Sequence, residues 1–100
     1  MEINPDIPEN RSFELTTSTN VRLYGVVRGY FNGVLVDFRP IGNGYYVGNL
    51  PEYARVTLKT PMVRGNWTFD NWSGDARGNN NVTTITITGP KEVVANYRRT

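Results

Sequence analysis

One hundred residues, 38% of them apolar and twelve of them aromatic, suffice for one packed domain and leave little room for a second core. The absence of cysteine and histidine removes disulfides, thiol chemistry and Cys/His zinc sites, and no apolar run approaches the ~20 residues of a membrane-spanning helix. The net charge of +2 is unevenly spread: residues 1–20 hold Glu2, Asp6, Glu9 and Glu14 against Arg11, while the other arginines are scattered and adjacent only at Arg98–Arg99, so no nucleic-acid-binding patch is expected.

Residues 1–12 (MEINPDIPENRS), with two prolines and three acids, read as an extended N-terminal arm ahead of a single β-rich domain over 13–100. Nothing in the arm has the basic and apolar regions of a signal peptide. Phe13-Glu14-Leu15 is the candidate first strand. Val21, Leu23 and Val27 alternate with Arg22, Tyr24 and Arg28, and Val34, Val36 and Phe38 alternate with Leu35, Asp37 and Arg39. Asn32-Gly33 between these runs favours positive φ at both central turn positions, so a hairpin is predicted over 21–39. Residues 40–44 (PIGNG) are expected to be loop, followed by a short β run at Tyr45-Tyr46-Val47. Pro51–Val56 has the composition of one helical turn and is too short to matter alone. Val56 and Leu58 mark another strand, ended by Pro61, and Trp67-Thr68-Phe69 marks the next. Residues 73–81 (SGDARGNNN) read as a polar surface loop. Strict alternation of β-branched residues over 84–88 (TITIT) predicts a strand, Gly89-Pro90 a turn, and Val93, Ala95 and Tyr97 one face of the last strand. No stretch sustains a 3.6-residue period. The expectation is a mainly β domain of about seven short strands, β-grasp-like or a small β-sandwich, with little or no helix.

Few residues offer chemistry. Trp67 and Trp72 could stack on a sugar or cation, but burial is the common fate of such large rings, and Trp72 would then pin the Ser-Gly-Asp corner with its N–H satisfied. Asp70, Asp75, Asn79, Asn80 and Asn81 supply oxygens that calcium accepts, yet the spacing matches no calcium loop and lacks a bidentate glutamate. Asp70 and Asp75 form the only close carboxylate pair in the core region; with three serines and neither cysteine nor histidine, the usual nucleophile–base assemblies cannot be built. The chain is therefore expected to be no enzyme and to need no cofactor or metal. Sequons stand at Asn10, Asn66, Asn71 and Asn81. The acidic arm could add a strand to a neighbour's open sheet edge, although a frayed terminus or domain linker is the commoner outcome for such a segment.

The C-terminal half carries a recognisable string. Residues 65–75 (GNWTFDNWSGD) are followed by a polar loop, then by residues 84–97 (TITITGPKEVVANY). It resembles the internalin-type B-repeat domains of microbial surface proteins over about residues 45–97, most closely from 65 onward. The resemblance implies that Trp67, Phe69, Trp72, Gly74, Asp75, Ile85, Ile87 and Tyr97 are structural positions. It further implies a β-grasp-like, strand-rich module without catalysis, found in adhesins and secreted proteins. Val82 stands where the family often has proline, and residues 1–44 are longer than the family's first hairpin, which implies a lone, elaborated copy. On this basis the chain is expected to be a spacer, adhesion or assembly element at a cell surface or outside the cell. Its expected partner is a protein or glycan surface, or itself, met through a sheet face, an open edge, or the loop residues Trp72, Asp75, Arg77, Asn79 and Asn80. A virion or filament subunit assembling through the arm is the second reading. A carbohydrate-binding module, needing Trp72 or Tyr24, Tyr30, Tyr45 and Tyr46 exposed in a row, is the third.

Overall fold

A computed structural model of the chain describes residues 11–100. These form ten strands: β1 (Ser12–Thr19), β2 (Arg28–Phe31), β3 (Val34–Leu35), β4 (Arg39–Gly42), β5 (Tyr45–Pro51), β6 (Arg55–Lys59), β7 (Val63–Arg64), β8 (Trp67–Gly74), β9 (Val82–Thr86) and β10 (Lys91–Arg99). They assemble into a six-stranded sheet in the order β4-β5-β1-β10-β8-β7 and a four-stranded sheet in the order β3-β2-β6-β9. Only β1 and β10 pair in parallel; every other neighbouring pair is antiparallel. The domain is mainly β, as its period-two patterning requires, and no helix occurs among the described residues. Both sheets contribute to one core: Leu15, Phe69, Trp72, Val93, Ala95 and Tyr97 from the larger, Val56, Leu58 and Ile85 from the smaller. The two-sheet alternative is therefore the one the described chain takes.

Local chemistry explains most of the elements. Asn32 and Gly33 adopt φ of 53° and 77°, closing the β2–β3 hairpin with the primed turn expected of Asn-Gly. Asn43 and Gly44 repeat that geometry at φ 55° and 83° and close β4 onto β5. This corrects the expected loop over 40–44: Pro40 is tolerated because β4 is an edge strand, and the pairing is irregular between Pro40 and Gly42. A second correction concerns 21–27, which is turn and coil, with Arg22 at φ 56° and Gly25 at φ 70°. Val21, Leu23, Val26 and Val27 still join the core, so their apolar character reports burial without a strand. Phe38 leaves the ladder beyond Val36, whose N–H still donates to the Gly29 carbonyl at 2.8 Å. Phe38 packs where Gly29 and Gly48 lack side chains, and a Cβ on Gly48 would come within 2.9 Å of Val36 Cγ1. The count rises from about seven strands to ten chiefly because β4 and β7 pair although every residue in them is exposed, so neither shows a buried apolar alternation in the sequence.

β8 contains the main irregularity. Tyr97 pairs with Phe69 while Asn96 pairs with Asn71, leaving Asp70 unmatched. This bulge lets Phe69 and Trp72, three residues apart, face the same core.

Candidate functional site

The Ser-Gly-Asp corner at the end of β8 is a fixed structural joint. Gly74 sits at φ 80°, and a Cβ there would collide with the Glu92 carbonyl oxygen. Asp75 then makes two bonds to Glu92 of β10: its N–H donates to the Glu92 carbonyl at 2.8 Å, and its Oδ2 accepts the Glu92 N–H at 2.8 Å. The loop that follows is tied down as well. Trp72 Nε1 donates to the Asn80 carbonyl at 2.8 Å, Trp72 N–H donates to the Gly78 carbonyl at 2.9 Å, and Asn80 Oδ1 accepts the Val82 N–H at 3.0 Å. Asn81 Nδ2 donates to the Thr60 carbonyl at 2.8 Å. Ala76 is buried, whereas Asp75, Arg77, Asn79 and Asn80 remain exposed.

The aromatic candidates divide. Trp72 is 3% exposed, and its ring stands 5.5 Å from that of Phe69, so it offers no face to a ligand. Trp67 is half-buried beneath the Arg99 guanidinium, 5.3 Å from the ring centroid. Tyr24, exposed, lies against Gly44 next to Tyr45, and the Tyr46 hydroxyl approaches Gly25. Tyr30, by contrast, belongs to β2 in the other sheet. The four tyrosines do not form one row. Tyr97 is buried, its hydroxyl 2.7 Å from Thr60 Oγ1 and donating to the Pro61 carbonyl at 2.6 Å; burial raises its pKa. Ile85 and Ile87 are core residues.

Asp70 and Asp75 do not form a close pair. Asp70 is exposed and faces Arg98 at 3.9 Å, and five residues of mostly extended chain put Asp75 roughly 15 Å away. That exceeds the ~5–9.5 Å separations that glycoside hydrolysis uses. Among the described residues no three His, Cys, Asp or Glu side chains converge on a metal position. The surface hollows are open depressions. Two of them, about 500 and 410 Å³, lie against Arg22, Asn43 and Tyr45 and between Arg28, Leu35 and Phe38. No described helix is long and apolar enough to cross a membrane.

The strand edges carry the more specific signal. Among the described residues four strands have an open side: β4 and β7 in the larger sheet, β3 and β9 in the smaller. Short length blunts β3 and β7, which have two residues each, and a proline with irregular register blunts β4. β9 has neither device. Its five residues, Val82-Thr83-Thr84-Ile85-Thr86, are uncharged and contain no proline. The Thr60 N–H donates to the Asn81 carbonyl, and the Ile87 N–H to the Ala54 carbonyl. In an antiparallel ladder of this register, the odd-numbered residues thus bond β6, and the N–H and C=O groups of Val82, Thr84 and Thr86 point outward. Only the Val82 N–H has a partner, Asn80 Oδ1, among the described residues.

Beside this edge lies a basic face. Arg55 and Lys59 alternate with the buried Val56 and Leu58 on β6, and Arg28 of β2 stands directly opposite Lys59. Arg55 stands opposite Thr86, and Lys59 opposite Val82. All three cations are exposed, and none has an ion-pair partner among the described residues. Like charges directly opposite in a sheet are unfavourable unless an anion offsets them. The sequence reading missed this cluster because the three cations are spread over residues 28–59, and only cross-strand register brings them together.

Compared with family models, curated proteins and solved structures, the chain matches none.

Proposed function

We propose that the chain is a non-enzymatic assembly module that takes an extended protein segment onto the open edge of β9. One observation carries this reading: a five-residue, uncharged edge strand with outward N–H and C=O groups, flanked by three cations without an ion-pair partner among the described residues. Edge addition draws affinity from main-chain hydrogen bonds and specificity from alternate side chains, and needs no pocket. Placement at a cell surface or in a secreted microbial protein rests on the internalin-like string at 65–97, and the same contact would serve a virion or filament subunit. Carbohydrate binding is less favoured, since Trp72 is buried and the tyrosines are divided between two sheets and the turn at Tyr24.

Sedimentation velocity of the full chain, from micromolar to millimolar concentration, tests the reading beside Thr84→Pro. Proline at 84 removes an outward N–H and no β6 bond, so the fold should be kept. Larger species in the parent and a monomer in the variant are expected. Equal behaviour of the two folded proteins would overturn the assignment to β9.

A further inference from the structure

We infer that the occupant of the β9 edge is residues 2–7 of a second copy of this chain, added antiparallel with Glu2 opposite Thr86, Asn4 opposite Thr84 and Asp6 opposite Val82. The inference rests on the reading of β9 as a strand acceptor, and three independent constraints select the same register.

The first is proline. Pro5 and Pro8 have no N–H, so neither can stand where a strand must donate to the edge. Over residues 2–7 this leaves the even positions, Glu2, Asn4 and Asp6, facing β9 with their backbone groups, while the Pro5 nitrogen faces away. The second is amphipathicity. Met1, Ile3, Pro5 and Ile7 alternate with Glu2, Asn4 and Asp6, a period-two pattern with one apolar and one polar side. In an antiparallel pair, directly opposed residues share a face. The even residues therefore join Val82, Thr84 and Thr86 on the outer face, and Ile3 and Ile7 join the side of Thr83 and Ile85. A parallel arrangement satisfying the prolines would send the acids to the core side.

The third is charge. In the antiparallel register Glu2 shares a cross-sheet row with Thr86 and Arg55, and Asp6 shares one with Val82, Lys59 and Arg28. The acids are four residues apart, as are the cations Arg55 and Lys59, and residues 1–10 contain no Lys or Arg. Shifting the segment by two residues leaves one acid without its row.

Connectivity then assigns the donor to another copy. The Glu52 N–H donates to the Arg11 carbonyl and the next N–H, of Tyr53, to the Ile87 carbonyl, so residue 11 lies near the Ile87 end of β9. In this register Ile7 falls opposite Asn81, six residues or roughly 20 Å along the strand from Ile87. A chain pairing with itself would have to reverse direction and return within residues 8–10. Four fully extended steps from Ile7 to Arg11 cover at most ~14 Å, which leaves nothing for the reversal.

The test uses two full-length variants and light scattering. Thr84→Pro spoils the acceptor and keeps the donor; Ile3→Asp/Ile7→Asp spoils the donor and keeps every residue of the core cluster. Each alone should be monomeric, and an equimolar mixture should form a 1:1 heterodimer. Glu2→Lys/Asp6→Lys should weaken self-association roughly tenfold, the scale of two exposed ion pairs, and Arg55→Glu/Lys59→Glu in the same chain should restore it. If the Ile3→Asp/Ile7→Asp chain assembles as the parent does while Thr84→Pro does not, the donor is misassigned and the edge reading survives. If a folded Thr84→Pro chain also assembles, the edge reading fails with it. Should Thr84→Pro not fold, unchanged assembly of the Ile3→Asp/Ile7→Asp chain overturns the inference by itself.

Discussion

Replacing Trp72 with alanine tests the core on which both sheets depend. The ring is 3% exposed, tilted 59° against Phe69 at 5.5 Å, and Phe69 in turn meets Tyr97 edge-on at 5.8 Å. Truncating a buried aromatic costs about 3–5 kcal/mol in lost transfer energy and cavity. The Asn80 carbonyl also loses its Nε1 donor, so the upper part of that range is expected. At roughly 4–8 °C per kcal/mol for a domain of this size, melting should fall by on the order of 20 °C or more. Urea unfolding followed by circular dichroism gives the free energy directly. Trp72→Phe keeps most of the ring contact and loses the N–H, and should cost about 1–2 kcal/mol. A Trp72→Ala protein that unfolds within 1 kcal/mol of the parent, with the same denaturant dependence, would refute the placement of this ring between the sheets.

Other expectations follow from particular contacts. Gly74→Ala forces a Cβ into the Glu92 carbonyl at φ 80° and should cost at least ~2 kcal/mol in a thermal melt, with the β8–β10 end opening first. Tyr97→Phe strands Thr60 Oγ1 and the Pro61 carbonyl and should cost about 1–3 kcal/mol. Because burial raises the Tyr97 pKa, its contribution is fully present below the unfolded tyrosine value of 10.0 and is lost as pH rises through the folded value. Tyr97→Phe should flatten that alkaline decline in denaturation curves. Exposed Tyr53 sits at φ 68°, so Tyr53→Val should destabilise by about 1–2 kcal/mol, while Tyr53→Gly should be nearly neutral by the same assay.

Where backbone chemistry is local, the sequence was legible. Asn32-Gly33 dictates its own turn, and the alternation of Val93, Ala95 and Tyr97 marks the buried face of β10. Trp72 could be placed in the core because a ring beside a Gly-Asp corner is more often pinned than displayed. The misplacements share one cause. Period two reports which side chains are buried, and at 21–27 they are buried from coil; at Pro40-Ile41-Gly42 pairing occurs without any apolar pattern, since every residue of β4 is exposed. The basic face was illegible for a different reason. Arg28, Arg55 and Lys59 become neighbours only through the β2–β6 pairing and the alternation along β6, which no local window contains. The acidic arm, which the sequence allows either to fray or to add to a neighbour's edge, lies almost wholly outside the described residues, and β9 is the edge proposed to accept it.

The most direct measurement is amide hydrogen exchange, resolved residue by residue, on the full chain at low and high concentration. Assembly through β9 should slow exchange at Thr84 and Thr86, whose N–H groups point away from β6, and leave Ile41 of β4 and Val63 of β7 unchanged. Protection that appears instead at β4 or β7, or an associated state in which Thr84 and Thr86 exchange as fast as in the monomer, would contradict the account.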